Sequence, residues 1–98
     1  MKILLVCAGG YSTSILMNKV KKYAEAHGEN LVINAVAKTA CEEMWQEYDC
    51  ILVGPQISYA IDELKQIISI PIAPISSLDY SIGRAENVLK LAHQITGK

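Results

Sequence analysis

Apolar runs alternating with helical patterns constrain this chain more than any other feature. Residues 2–7 are almost continuously apolar, and further runs occupy 31–37, 49–54 and about 70–75. A continuous apolar run of this length is the mark of a strand covered on both faces in a parallel sheet. Between the runs, apolar residues recur at helical spacing. From Thr13 to His27 they are Ile15, Leu16, Val20, Tyr23 and Ala24, opposite Asn18, Lys19, Lys22 and Glu25, and His27-Gly28 reads as a stop. Thr39 and Glu42 form a capping-box pattern for a short helix over about 40–47. Ile57, Ala60, Ile61, Leu64, Ile67 and Ile68 trace a third helix. A last one runs from roughly Ile82 to Thr96 on Ala85, Val88, Leu89, Ala92 and Ile95.

This alternation predicts right-handed β-α-β units, hence an α/β fold with helices on both faces of an open, four-stranded parallel sheet in three layers. Pro71 and Pro74 cannot donate ladder hydrogen bonds, which sends the fourth strand to an edge and makes 2-1-3-4 the natural order. The switch point then lies between strands 1 and 3, where ligands bind beyond the carboxyl ends of the strands. The loop after Cys7 and the loop at Gly54-Pro55-Gln56 should therefore face each other.

The first of these loops carries the chemistry. Cys7-Ala8-Gly9-Gly10-Tyr11-Ser12-Thr13-Ser14 sets a thiol and a turn of small residues before a helix. Backbone N–H groups there lack intrahelical partners, and the helix dipole favours negative charge. The thiolate is the nucleophilic form of cysteine, so such a turn suits a reactive sulfur and an anion it might carry. Gly9 and Gly10 let the backbone come close and take conformations closed to other residues.

Composition narrows the alternatives. The 98 residues suit one domain spanning 1–98, and a formal net charge of −1 lacks the basic excess of a nucleic-acid surface. Three cysteines, an odd number with no C-x-x-C pair, argue against a disulfide framework and for a reducing, cytoplasmic setting. The apolar run at 3–6 is too short for a signal peptide or a membrane span. The glycine loop is neither a Walker A nor a dinucleotide fingerprint, since no lysine follows the glycines and G-x-G-x-x-G is absent. A phosphatase loop C-x5-R would place arginine where Thr13 stands, so the bidentate cation needed for phosphatase turnover is missing. What remains is a loop able to accept and hold a phosphoryl group on sulfur.

Cys7-Ala8-Gly9-Gly10-Tyr11-Ser12-Thr13-Ser14 after the first strand, with Gly54-Pro55-Gln56-Ile57 after the third, resembles the IIB component of the lactose/cellobiose (chitobiose) class of the bacterial phosphoenolpyruvate-dependent sugar phosphotransferase system. The likeness extends over essentially the whole chain, including the Tyr80 segment before the last helix; Gly9-Gly10-Tyr11 departs from the bulkier residue that cellobiose-type members commonly show after a single glycine. The resemblance implies a fold like that of the low-molecular-weight tyrosine phosphatases. It also implies a phosphocysteine on Cys7, formed from a phosphohistidine of IIA and passed to a sugar held by the membrane component IIC. Residues Ala8 to Ser14 would cradle the phosphoryl group, with Gln56 and Tyr80 in support. No cofactor or metal is required on this component, and a monomer that neither binds nucleic acid nor enters the membrane is expected. Two other function classes remain beside it: a regulatory protein-binding module on the same surface, and a cysteine-dependent phosphatase.

Plainer readings accompany these. Cys50 lies within an apolar strand and Cys41 within a short helix, both as packing residues. Ser12 can cap the helix, Gln56 can bond its own turn, and Tyr80 can be a surface aromatic. His27 reads as a helix-end residue and His93 as a solvated position; Asp62, Glu63 and Asp79 read as solvated carboxylates. Lys19, Lys21 and Lys22 form a wet face that could steer an acidic partner to the neighbouring loop.

Overall fold

The computed structural model describes residues 1–7 and 11–98, with the backbone alone for 11–13. Strands β1 (Lys2–Val6), β2 (Val32–Val36), β3 (Cys50–Val53) and β4 (Ile72–Pro74) form a parallel sheet in the order β2-β1-β3-β4, as expected. Five α-helices accompany them: α1 (Tyr11–Ala26), α2 (Lys38–Met44), α3 (Ile61–Ile67), α4 (Ser77–Ile82) and α5 (Ala85–Thr96).

Period-two alternation along the strands builds two cores from one sheet. Ile3 and Leu5 of β1, Cys50 and Leu52 of β3 and Ala73 of β4 face one side. There they meet Leu16, Val20 and Ala24 of α1, Tyr80 of α4, and Val88, Leu89 and Ala92 of α5. Leu4, Val6, Ile51, Val53 and Ile72 face the other, against Cys41 of α2 and Leu64 of α3. All four residues of β3 are fully buried, as a central parallel strand covered on both faces should be. Pro74 stands at the outer edge, with its ring where no ladder donor is needed.

Four boundaries depart from the sequence reading. The first helix begins at Tyr11 rather than Thr13, and Ile15 lies off the buried stripe, 44% exposed. Thr39 caps nothing: the second helix begins at Lys38 after Ala37, which makes no side-chain capping bond. Glu42 instead lies 3.8 Å from Lys38, one turn away on the same face. The third helical stretch is broken, because a 3-10 turn over Pro55–Ala60, with non-helical backbone at Ile57, precedes α3. Proline at its first position sets φ and lacks the N–H that would be unpaired there. The last helix starts at Ala85 rather than Ile82, and a short helix not expected from the sequence, α4, precedes it and ends where Gly83 takes the left-handed conformation (φ 68°). Ser76 caps α4 by accepting from the Asp79 N–H at 3.1 Å.

Candidate functional site

The end of β1 is held from both sides. The Cys7 N–H donates to the Val36 carbonyl of β2 at 3.2 Å, and the Gly54 N–H donates to the Val6 carbonyl at 2.8 Å. Cys7 is thereby fixed at the carboxyl end of a central strand with 6% of its surface exposed. This is the switch point, where the connections from neighbouring strands diverge and leave a crevice.

Gly54 controls what reaches the thiol from β3. A β-carbon there would stand 3.7 Å from Cys7 Cβ, 3.6 Å from the Val6 carbonyl oxygen and 3.0 Å from Gln56 Oε1. Cys7 and Gln56 thus flank one point, while the rest of the loop after Cys7 lies outside the described residues. Gln56 is exposed and free to turn its amide toward the crevice.

Gln56 and Tyr80 meet in a cleft of about 320 Å³, lined also by Pro55, Ser77 and Ser81. Tyr80 is 8% exposed and packs into the core beneath α1 and α5, so it is not a surface aromatic. Ser77 and Ser81 are lining residues that the sequence reading missed. Their spacing of one helical turn on the segment bearing Tyr80 was the available signal, hidden because no helix was expected over that segment.

Of the expected cradle, Ala8, Gly9 and Gly10 lie outside the described residues, as do the side chains of Tyr11, Ser12 and Thr13. The helix start at Tyr11 leaves the N–H groups of Tyr11, Ser12 and Thr13 in its first turn without intrahelical partners. No acidic residue sits in that first turn to oppose an anion, and the Ser14 side chain is exposed.

The other cysteines are set apart from this chemistry. Cys41 and Cys50 are fully buried, and burial pushes each thiol up to about 11. Neither offers a thiolate near neutral pH. Among the described residues, no group of three or more His, Cys, Asp or Glu side chains is placed to hold a metal ion.

The histidines lie at the opposite, amino end of the strands. His93 is not a solvated position: its Nε2 lies 2.7 Å from Glu29 Oε1, tying α5 to the segment before β2. His27 packs on the Tyr23 ring with centroids 4.2 Å apart. Glu63 pairs with Lys38 at 2.7 Å, and Asp79 accepts from Asn87 Nδ2 at 3.0 Å, so these carboxylates are engaged on the surface.

A parallel α/β sheet presenting a cysteine at its switch point defines the class, and sequence comparison defines the family. Residues 2–91 match the model of the lactose/cellobiose-specific IIB subunit of the phosphotransferase system. The chain belongs to that family, and is a phosphotransferase component of a sugar uptake system. It is 31% identical to a galactose-specific EIIB component of Lactococcus lactis subsp. cremoris, over 95% of this chain and 94% of that one. An oligo-beta-mannoside-specific EIIB component of Bacillus subtilis is 43% identical over 65 residues, 66% of this chain and 63% of that relative. A lactose-specific EIICB component of Streptococcus mutans is 29% identical over 64% of this chain, which spans 11% of that protein. Among solved structures, the cellobiose-specific IIB component from Borrelia burgdorferi superposes with a TM-score of 0.84 at 37% identity, covering 99% of this chain and 92% of that one.

Proposed function

We propose that the 98 residues act as one phosphoryl-carrier domain in which Cys7 takes a phosphoryl group from a phosphohistidine of IIA and delivers it to a sugar held by IIC. The observation that carries this reading is the position of Cys7 beside Gly54 and Gln56 at the switch point. In the first step the Cys7 sulfur attacks phosphorus in line. The S–P bond forms, the N–P bond of the phosphohistidine breaks, and the thiol proton ends on the departing imidazole. In the second step a sugar hydroxyl attacks the same phosphorus, the S–P bond breaks, and the hydroxyl proton returns to the cysteine sulfur.

The phosphoryl oxygens would be held by the N–H groups from about Ala8 to Ser14, the Tyr11 N–H among them, with hydroxyls of Ser12, Thr13 or Ser14 adding to them. Gln56 and Tyr80 would support the group from the facing cleft. A helix N-terminus stabilises an anion by about 0.3–1 kcal/mol when exposed and up to about 2 when partly buried. That modest hold suits a carrier that must release its cargo. The sugar is a β-linked disaccharide or oligosaccharide of the cellobiose, chitobiose or lactose kind, and the domain works at the cytoplasmic face beside IIC. No helix among the described residues is long and apolar enough to cross a membrane.

The test is intact-protein mass after incubation with phosphoenolpyruvate, enzyme I, HPr and the cognate IIA. One added phosphoryl group, absent in Cys7→Ser, is the expected result. An unmodified protein beside a phosphorylated IIA would overturn the reading in favour of a regulatory module.

A further inference from the structure

The two faces of β2 are covered unequally. Ile33 packs in the core beneath α1, a helix of 16 residues, and is 1% exposed. The helix on the other side, α2, has seven residues, and Val32 on that face stands 47% exposed. The turn after α2 extends this apolar surface. Asn34, two residues on from Val32 and on the same face, donates from Nδ2 to the Tyr48 hydroxyl at 3.0 Å. The Tyr48 N–H donates to the Trp45 carbonyl at 3.0 Å, which closes the 3-10 turn Trp45–Glu47. Met44, Trp45 and Tyr48 each pack partly against the second core and are only partly buried. Aromatic residues and methionine are the side chains that protein contact surfaces favour.

The rim of this surface is acidic. Glu43 and Glu47 are exposed, and among the described residues neither makes an ion pair. No basic residue lies in the last turn of α2, where the helix dipole favours a cation. The two carboxylates add to the negative end of that dipole.

Resting on the carrier reading above, we infer that this face anchors the domain to IIC, through a cytoplasmic segment of IIC that combines Lys or Arg with apolar side chains. The charge selects that occupant. Cytoplasmic loops of membrane proteins carry an excess of Lys and Arg, whereas the lipid surface beside them is anionic and repels carboxylates. A second copy of this chain would bring like carboxylates into one interface. Val32 opens β2, whereas Cys7 bonds to the Val36 carbonyl at the far end of the same strand. An anchor at the start of β2 therefore leaves the Cys7 crevice open for phosphoryl transfer.

The experiment measures transfer onto sugar by membrane vesicles carrying IIC, against the concentration of the phosphorylated full chain. Glu43→Lys combined with Glu47→Lys should raise KM for the chain about tenfold and flatten its salt dependence. Val32→Ser should raise it by a smaller factor, through lost apolar contact. Initial phosphoryl uptake from phosphorylated IIA should stay at the wild-type rate in both variants, which separates the anchor from the carrier step. Trp45 is the one tryptophan of the chain. Its emission should shift with vesicles carrying IIC and stay unchanged with vesicles of the same lipids alone. If the charge reversal lowers the circular dichroism, Glu43→Gln with Glu47→Gln carries the test. A wild-type KM in the folded variants overturns the inference. So does an equal loss of uptake from IIA, which would give the face to the donor. A Trp45 shift on bare lipid would give it to the membrane and overturn the inference too. Absence of uptake by the wild type itself sinks the carrier reading, and this inference with it.

Discussion

The Gly54 N–H donates to the Val6 carbonyl at 2.8 Å, and the hydrogen that Gly54 carries in place of a side chain leaves room for Gln56 Oε1 beside Cys7. This glycine has ordinary extended backbone angles (φ −62°, ψ 147°), so space and not conformation explains it. A methyl group would press on the far end of an exposed side chain, which can swing away. Gly54→Ala should therefore leave stability within about 1 kcal/mol of the wild type, because alanine also restricts the unfolded chain. Phosphoryl uptake should fall about tenfold in Gln56→Ala, the scale of one hydrogen bond to a charged group. Gly54→Ala should fall similarly, and the two together no further. Thermal melts and uptake rates on the three variants check this, and additive losses would show that Gln56 is not what the methyl displaces.

The buried thiols give a chemical prediction. With Cys41 and Cys50 each held near 11 by burial, only roughly one in a thousand is a thiolate at pH 8. Iodoacetamide should leave both unmodified in the folded protein and alkylate all three cysteines in denaturant, as read by peptide mass. The same shifts set a pH dependence. The folded thiols keep their protons above the ordinary value of 9.0, so this contribution is full below pH 9 and is lost as pH rises toward about 11. Urea midpoints should decline across that window, and Cys50→Ala should decline less steeply.

How far the sequence disclosed this arrangement follows from where its signals are local. Pro71 and Pro74 could be read for an edge, and the apolar runs for a sheet covered on both sides, because hydrogen-bond chemistry and burial leave marks in single residues. The facing of Cys7 and Gln56 followed from strand order. The break at Gly83 did not, since apolar spacing runs past it and only the backbone shows that the glycine adopts a positive φ. Ile15 fits the helical stripe by spacing, yet it stands 44% exposed, which only its packing in the folded chain reveals. The His93–Glu29 pair joins residues distant in the chain and left no local trace.

Asp49 ties the chain ends together. Its Oδ1 lies 2.8 Å from Lys98 Nζ, and its Oδ2 accepts from the Lys2 N–H at 2.8 Å. The Lys98 bond first, and the Lys2 N–H next, hold its carboxyl below the usual range. A lowered value means that the stabilisation is present above the unfolded value of 3.8 and is lost as pH falls through the lower folded one. Asp49→Asn keeps an acceptor for Lys2 and loses the ion pair. It should cost about 0.2–1 kcal/mol near neutral pH, as exposed pairs do, and flatten the stability profile below pH 4. Urea titrations at several pH values check both, and an unchanged acid limb would refute the assignment.

Gly83 ends α4 in the left-handed conformation and lies against Lys19. Its φ of 68° ends α4, and a side chain there would meet Lys19 Cδ at 2.8 Å. Gly83→Ala should destabilise the protein by about 1–2 kcal/mol, because an L-residue pays the left-handed strain at this position. Gly83→Asn should cost less, since asparagine tolerates that conformation better. Thermal melts of the two variants check this order, and equal losses would show that the left-handed backbone is not what alanine pays for.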